Sequence, residues 1–514
     1  MTIRKTGLPW QWLPVLAVLA WALFLRLDYF APGRSLWLDE AMLGVNLQHQ
    51  SLSGLVKPLL YDQAAPLGFL LLQWLLAHLL AGSDDLLRVL PLLAGLALLP
   101  MVFALARQDG GSPFAWLALA LVALAPEQVR YSSELKQYSL DALVAAYLMW
   151  CFGEALKQPT DPRARRRLAL SGALAVWFSH PSVFVLAGLG GSVLLLHWRD
   201  VRDPAFLRFW AGVAAAWILS FAVLYLLHLR HVAANPSLTD FWRRSFAPLP
   251  PWSHWGWYRA SLSGVLNHLF SFHAGVLPSV LVLLGTASLW WRRRPLALAM
   301  VLTLVATLVA SSLSRYPFHG RFLLFMAPAA ALALAEGVER CRQWLRAWHA
   351  GLAGVVYLGL AGLLLFHAVD IDRQHLQDHP VMEEIKPLMK EVAERRRPGD
   401  QIYVYYGAVP AFSFYAARYG FGPDEFVEGR FHRWEPALYL SEIDGALGAG
   451  RTWLVFSHNC NHCRPRVRIN EQRFILDHAD RRGTLLEQLD GAGTTAYLYD
   501  LGPPRPDAGP AAGR

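Results

Sequence analysis

Twelve apolar stretches recur along this 514-residue chain, near residues 10 to 30, 66 to 82, 86 to 106, 113 to 126, 137 to 156, 167 to 179, 182 to 198, 206 to 229, 272 to 291, 295 to 313, 321 to 337 and 347 to 369. Several reach the roughly 20 residues that a helix needs to cross the hydrocarbon core of a bilayer. With 55% hydrophobic and only 17% charged residues, and a mean hydropathy of +0.29, an ordinary soluble domain is excluded. The expected fold class is an α-helical polytopic membrane protein of about 11 to 12 transmembrane helices, followed by a small C-terminal extracytoplasmic α/β domain.

The connections can be assigned to a side by their bases. Arg163 with Arg165 to Arg167, then Arg199 with Arg202 and Arg208, then Arg292 to Arg294, and then Arg340 with Arg342 and Arg346, form four basic linkers. Together with Arg4 and Lys5 they should be cytoplasmic. The N-terminus is then inside, and residues 127 to 136, the His180-Pro181 corner, 230 to 270, 314 to 320 and everything after about 370 lie outside. The first apolar stretch sits too deep in a polytopic pattern to be a cleaved signal. If Arg107 is cytoplasmic, 66 to 82 does not cross simply; a re-entrant or surface segment and one miscounted short helix are the alternatives. Lys+Arg exceed Asp+Glu by 47 to 38, but topology accounts for the excess, so no nucleic-acid partner is expected.

Residues 1–370 are expected to form the membrane domain, 375–501 the external α/β domain and 502–514 a disordered Pro/Gly-rich tail. In the external domain, strands are expected at 401 to 406, 452 to 456 and 495 to 499. Helical periodicity spans Val381 to Glu394 and Asn470 to Leu489. Cys151 and Cys341 read as thiols. Cys460-Asn-His-Cys463, beside His458, is compatible with either a zinc site or a local disulfide.

The external face collects Asp39, Glu40, Asp62, Glu134, Lys136, Asp141, His180, Tyr316, His319 and Arg321, mostly near helix ends. Ionisable groups at such positions are functional candidates. Asp39 and Glu40 project about 100° apart on a helix, so one should act while the other orients or binds; an acidic helix start is the bland alternative. In Glu134-Leu-Lys-Gln-Tyr-Ser-Leu-Asp141, a helix would put Glu134, Gln137, Tyr138 and Asp141 on one face. Arg321, at the polar turn Tyr316-Pro-Phe-His-Gly-Arg, suits a phosphate oxygen, although an interfacial arginine can also snorkel.

The run Leu-Trp-Leu-Asp39-Glu40-Ala, then Asp62-Gln-Ala-Ala-Pro66, Arg88-Val-Leu-Pro and Tyr131-Ser-Ser-Glu134-Leu-Lys136-Gln-Tyr138, resembles the GT-C superfamily of membrane glycosyltransferases. It is most similar to the protein O-mannosyltransferases and the aminoarabinose transferase ArnT. The order of the motifs carries the likeness, which covers roughly the first two-fifths of the chain and, loosely, Tyr316 to Pro328. The resemblance implies an inverting glycosyltransferase that takes a sugar from a polyprenyl-phosphate-linked donor outside the cytoplasm. The acceptor would be a glycolipid, a polysaccharide or a protein, and the setting a bacterial inner or plasma membrane. It also implies Asp39 as base, with Glu40 and Asp141 in the catalytic set. Asp62, Glu134, Lys136, Tyr138, His180, Tyr316, His319 and Arg321 would bind substrate.

Ala64-Ala65 stand where ArnT has Glu-Lys, so a divalent cation is left open and Asp62, Lys136 or Arg321 would substitute. A transporter or flippase of a lipid-linked or anionic substrate is the alternative, expected to show inverted repeats and broken helices. A receptor-like sensor is a third class, which leaves Asp141 and the external acids unexplained.

Overall fold

The computed structural model describes residues 13–30, 33–79, 83–108, 112–158, 161–272, 275–378, 383–458 and 470–503. The chain divides into two compact units, one of residues 1–31 and 51–379, the other of 32–50 and 380–514. The boundary therefore differs from a single cut near residue 370.

In the first unit each expected apolar stretch is mainly helical over its described residues. In chain order the helices are α1 (Leu13–Tyr29), then α2 (Leu38–His49), which belongs to the second unit, α3 (Leu67–Leu79), α4 (Val89–Arg107), α5 (Ser112–Ala123), α6 (Pro126–Tyr131), α7 (Tyr138–Lys157), α8 (Pro162–Phe178) and α9 (Ser182–Leu196). There follow α10 (Pro204–Leu224), α11 (Arg230–Ala233), α12 (Pro236–Trp242), α13 (Trp255–Phe270), α14 (Val276–Arg292), α15 (Arg294–Ser312), α16 (Ala327–Arg346) and α17 (Ala350–Asp378). Among the described residues, six helical runs are long and apolar enough to cross a membrane: 84–107, 138–157, 204–233, 294–312, 320–346 and 350–378. The protein is a multi-pass membrane protein.

α3 has 13 residues and α5 has 12, so each rises only about 18–20 Å against a hydrocarbon core of about 30 Å. α5 is equally short but buried from Phe114 to Ala123, apart from its intermediate Trp116.

Helix starts follow local chemistry. α8, α10 and α12 each open on Asp-Pro or Asn-Pro, and the side chains of Asp161, Asp203 and Asn235 accept from backbone N–H groups two or three residues on. The carboxylate or amide satisfies an orphan donor while proline presets the first helical φ.

α14 and α16 cross at glycine. A Cβ on Gly285 would overlap the carbonyl oxygen of Ala333, and one on Gly337 that of Leu281. Near this crossing the Glu336 carboxylate, on the buried side of α16, accepts from Ser288 Oγ (2.6 Å) and pairs with Arg292 (2.9 Å). Gly337→Leu should therefore cost more than the roughly 1–3 kcal/mol of ordinary overpacking, because backbone must move. The expected outcome is loss of the monodisperse peak in detergent chromatography, with Gly354→Leu, at an open position, as the control.

The second unit contains α2 together with α18 (Ile385–Arg395), β1 (Gln401–Val404), α19 (Val409–Tyr415), β2 (Val427–Glu428), α20 (Ala437–Ala446), β3 (Gly450–Ser457), α21 (Glu471–Arg482), β4 (Gly483–Gly491) and β5 (Thr494–Leu501). The sheet order is β2-β1-β3-β5-β4. β1 pairs in parallel with both β2 and β3, while β5 is antiparallel to β3 and β4. Its core is built on Tyr403, Tyr405, Tyr439, Leu454, Phe456 and Tyr499.

The three expected strands are present. The helix expected to run from Asn470 to Leu489 ends at Arg482, and Gly483 to Gly491 is a strand instead. The leucines at 485, 486 and 489 imitate helical spacing, but pairing with β5 across a bulge between Leu485 and Glu487 wins, leaving Leu485 and Leu486 exposed. Cys460, Cys463 and the tail from residue 504 lie outside the described residues. Cys151 is a buried free thiol and Cys341 a half-buried one.

Candidate active site

In the first unit the chemistry-bearing groups cluster around α6 and the start of α7. α5 ends at Ala123, Pro126 opens α6, and α6 ends at Tyr131, where the hydroxyls of Ser132 and Ser133 donate to the carbonyls of Val129 (2.5 Å) and Arg130 (2.9 Å). Side-chain bonds of this kind compete with helix continuation. Consequently α7 begins only at Tyr138, with Gln137 as its N-cap. The expected common helical face is corrected accordingly: Tyr138 and Asp141 lie on α7, whereas Glu134 lies in the preceding turn.

Glu134 is tied back to α6 by Arg130, Nε to Oε1 2.7 Å. Its other oxygen, Oε2, is buried and accepts no hydrogen bond. Lys136, also buried, donates from Nζ to Gln63 Oε1 (2.9 Å). The Glu134 carboxylate raises the pKa of the Arg130 guanidinium. Glu127, on α6, is pushed up first by burial; Arg130 and Arg321 oppose that shift and Glu134 adds to it. Two carboxylates and two guanidiniums thus share one locality.

Arg321 lies in a short 3-10 turn, Gly320–Met326, that leads into α16. Its guanidinium stacks over Tyr138, 5.6 Å from the ring centre. Tyr138 is also edge-on to Tyr131 at 4.9 Å and to Phe322 at 6.0 Å. Tyr316 donates to the carbonyl of Phe322 (2.9 Å), and burial raises its phenol well above the ordinary value, helped by the neighbouring Asp141 carboxyl and by Tyr138.

Asp141 is buried, with Ser179 beside it. Ser139 Oγ and His180 Nε2 are buried polar atoms without hydrogen-bond partners in the fold, and the Asp141 carboxyl faces the Ser179 hydroxyl. Unsatisfied groups of this kind are costly. Burial, with a smaller effect from His228, lowers the His180 pKa to about 3, so at neutral pH His180 is an uncharged hydrogen-bonding group.

The remaining candidates are placed differently. Asp62 is exposed and accepts from Asn235 Nδ2 (2.7 Å). His319 sits edge-on to His268, with ring centres 5.0 Å apart. Among the described residues, no three His, Cys, Asp or Glu side chains are grouped for a metal ion.

Asp39 and Glu40 occupy the first turn of α2 in the second unit. There the Leu38 N–H donates to Glu383 Oε2 (3.0 Å), Leu36 N–H to the Tyr415 hydroxyl (2.9 Å), and Ser35 Oγ to Glu384 (2.8 Å). Glu383 also bonds His458 Nδ1 (2.5 Å). The start of α2 is therefore fastened by carboxylates from a segment more than 300 residues away in sequence. Glu40 is fully buried and Asp39 half-buried.

Sequence reasoning missed Gln63, Glu127, Arg130 and Ser179. Arg130 and Glu134 carried a signal in their i, i+4 spacing, whereas Gln63 to Lys136 spans 73 residues and left none. Arg130→Ala is expected to cost about 1.5–3 kcal/mol by stranding a buried carboxylate. Thermal unfolding in detergent should show the loss, and adding Glu134→Gln should recover part of it.

Comparison with protein-family models and with curated proteins found no match. Comparison with solved structures did. Archaeoglobus fulgidus oligosaccharyltransferase tethered to an acceptor peptide matches 95% of this chain and 74% of its own, at 11% identity and TM-score 0.54. The same enzyme in complex with an inhibitory peptide and a dolichol-phosphate gives 11% identity and TM-score 0.52. ArnT from Cupriavidus metallidurans bound to undecaprenyl phosphate matches 95% of this chain and 98% of its own, at 14% identity and TM-score 0.51. The chain shares its fold with these solved structures. At these identities the likeness is one of architecture, and it extends over nearly the whole chain, the C-terminal unit included.

Proposed function

We propose that this protein transfers a sugar from a polyprenyl-phosphate-linked donor to an extracytoplasmic acceptor, with inversion at the anomeric carbon. The observation that carries the reading is the match over nearly the whole chain to two membrane glycosyltransferases, each also solved with a polyprenyl phosphate. The N-terminus is cytoplasmic in this reading, and the α6–α7 cluster, the Tyr316 turn and the C-terminal unit are outside.

The acceptor hydroxyl oxygen bonds to the anomeric carbon as the bond from that carbon to the lipid-phosphate oxygen breaks. The base that takes the hydroxyl proton is assigned to Asp39 on the sequence resemblance alone. A carboxylate of ordinary pKa near 4 is a weak base toward an alcohol, so it acts late, as positive charge builds on the attacking oxygen in the transition state. The departing phosphate gains negative charge. Arg321, presented on the Tyr138 ring, and Lys136, held by Gln63, supply fixed cations for it in a water-poor setting. The buried Asp141, Ser179 and His180 side chains offer acceptors and donors to sugar hydroxyls.

The stereochemistry is checked by incubating the protein with a polyprenyl-phosphate sugar of known anomer and reading the product's C1–H1 coupling by NMR. The opposite anomer is expected. A retained anomer would contradict direct displacement and remove Asp39 from the base role.

A further inference from the structure

The C-terminal unit carries a second constellation, separate from Asp39 and Glu40. β1, β2 and β3 run parallel, with β1 between the other two. The chain leaves β1 for one neighbour and later returns to the other, so β1/β3 is a topological switch point. In open parallel sheets, ligands bind outside the carboxyl ends of the strands at such points.

Tyr405 and Tyr406 directly follow β1, and Phe431 to Trp434 lie in the segment after β2. Glu471, at the start of α21, joins the two segments: it accepts from the Tyr405 hydroxyl, from Tyr439 (3.4 Å) and from Arg433 Nε (3.1 Å). Arg433 also donates to the Tyr406 hydroxyl (2.5 Å).

From this part-buried network an aromatic ladder climbs to solvent. Tyr406 meets Phe431 edge-on at 5.0 Å, and Phe431 meets Trp434 at 6.5 Å. Trp434 is 81% exposed and Phe431 50%. Large rings held in water beside a half-buried, hydrogen-bonded polar network are a poor way to stabilise a fold and a good way to present a binding face.

We infer that this carboxyl-edge ladder of Tyr406, Phe431 and Trp434, with the Arg433–Glu471 pair, is a binding site for an uncharged carbohydrate. The pairing of Arg433 with Glu471 cancels charge locally and so selects neither an anion nor a cation. Carboxylate lone pairs, guanidinium N–H groups and phenols supply both acceptors and donors for hydroxyls. The exposed indole and phenyl rings suit the apolar C–H face of a pyranose. A lipid-inserting patch would instead have to bury the flanking ion pairs at a desolvation cost. Naming the occupant as the acceptor glycan rests on the proposed transferase function; the carbohydrate site itself does not.

The test applies full-length protein in detergent to a printed array of neutral oligosaccharides, with Trp434→Ala and Phe431→Ala/Trp434→Ala beside wild type. Wild type should be retained on at least one glycan family, and the variants should lose about tenfold or more in affinity, while Trp434→Phe keeps most of it. Matched thermal unfolding shows that the variants are folded. Wild type held by no glycan, variants that bind as well as wild type, or a loss confined to bare phosphatidylglycerol vesicles would each overturn the site. Sugar transfer by wild type is scored separately. Glycan binding without transfer would therefore sink the enzymatic reading alone, and transfer without glycan binding would sink this site alone.

Discussion

Asp39→Asn is expected to slow sugar transfer by about 100- to 10,000-fold, the usual contribution of a positioned general base, while donor affinity stays within about twofold. The substitution keeps the size of the side chain and removes its ability to take a proton. The backbone around it is held independently, since the Leu36 and Leu38 amides are bound by Tyr415 and Glu383. α2 should therefore remain in place, and the loss should fall on kcat. Near-normal turnover by a folded Asp39→Asn protein would end the assignment. A variant that no longer binds donor would instead turn Asp39 into a binding residue.

Arg321→Leu should lower kcat by about 100- to 1,000-fold, the range seen when one preorganised stabiliser of transition-state charge is removed. Arg321→Lys should recover only part of this. A lysine keeps the charge but loses the planar fork and the stacking on Tyr138, 5.6 Å away. The effect separates from a packing defect by its dependence on the leaving group: with a donor whose leaving group is a better one than lipid phosphate, the Arg321→Leu deficit should shrink. An equal deficit with both donors would place Arg321 in structure rather than in catalysis.

The membrane helices were readable because an apolar run long enough to cross a bilayer needs no periodicity to be seen, and the arginine linkers between the runs mark their ends. Strands β1, β3 and β5 were equally plain from their β-branched and aromatic runs between glycines. What the local pattern hid was competition. Asn470 to Leu489 satisfies a helical spacing, and only pairing with β5 converts its second half into β4. Glu134 to Asp141 has the spacing of one helix face, but the hydroxyls of Ser132 and Ser133 close α6 first, so α7 starts at Tyr138.

The candidate site was legible in part, through ionisable residues that an apolar chain has little reason to keep at helix ends. Its supporting partners were not. Gln63 under Lys136 and Glu383 under the start of α2 are contacts between distant segments, made by side chains that look like ordinary surface residues in sequence. Ser179 next to Asp141 is similar: a lone serine after a helix carries no signal until the fold brings a buried carboxyl beside it.

The most direct measurement reconstitutes the purified protein in liposomes with radiolabelled polyprenyl-phosphate sugars and extracted envelope acceptors, and follows the label. Label is expected to leave the lipid phosphate and appear covalently on an acceptor with release of polyprenyl phosphate, only when the acceptor is on the side of the C-terminal unit. Label that crosses the bilayer still attached to its lipid, with no new glycosidic bond, would rule out sugar transfer and make the protein a transporter.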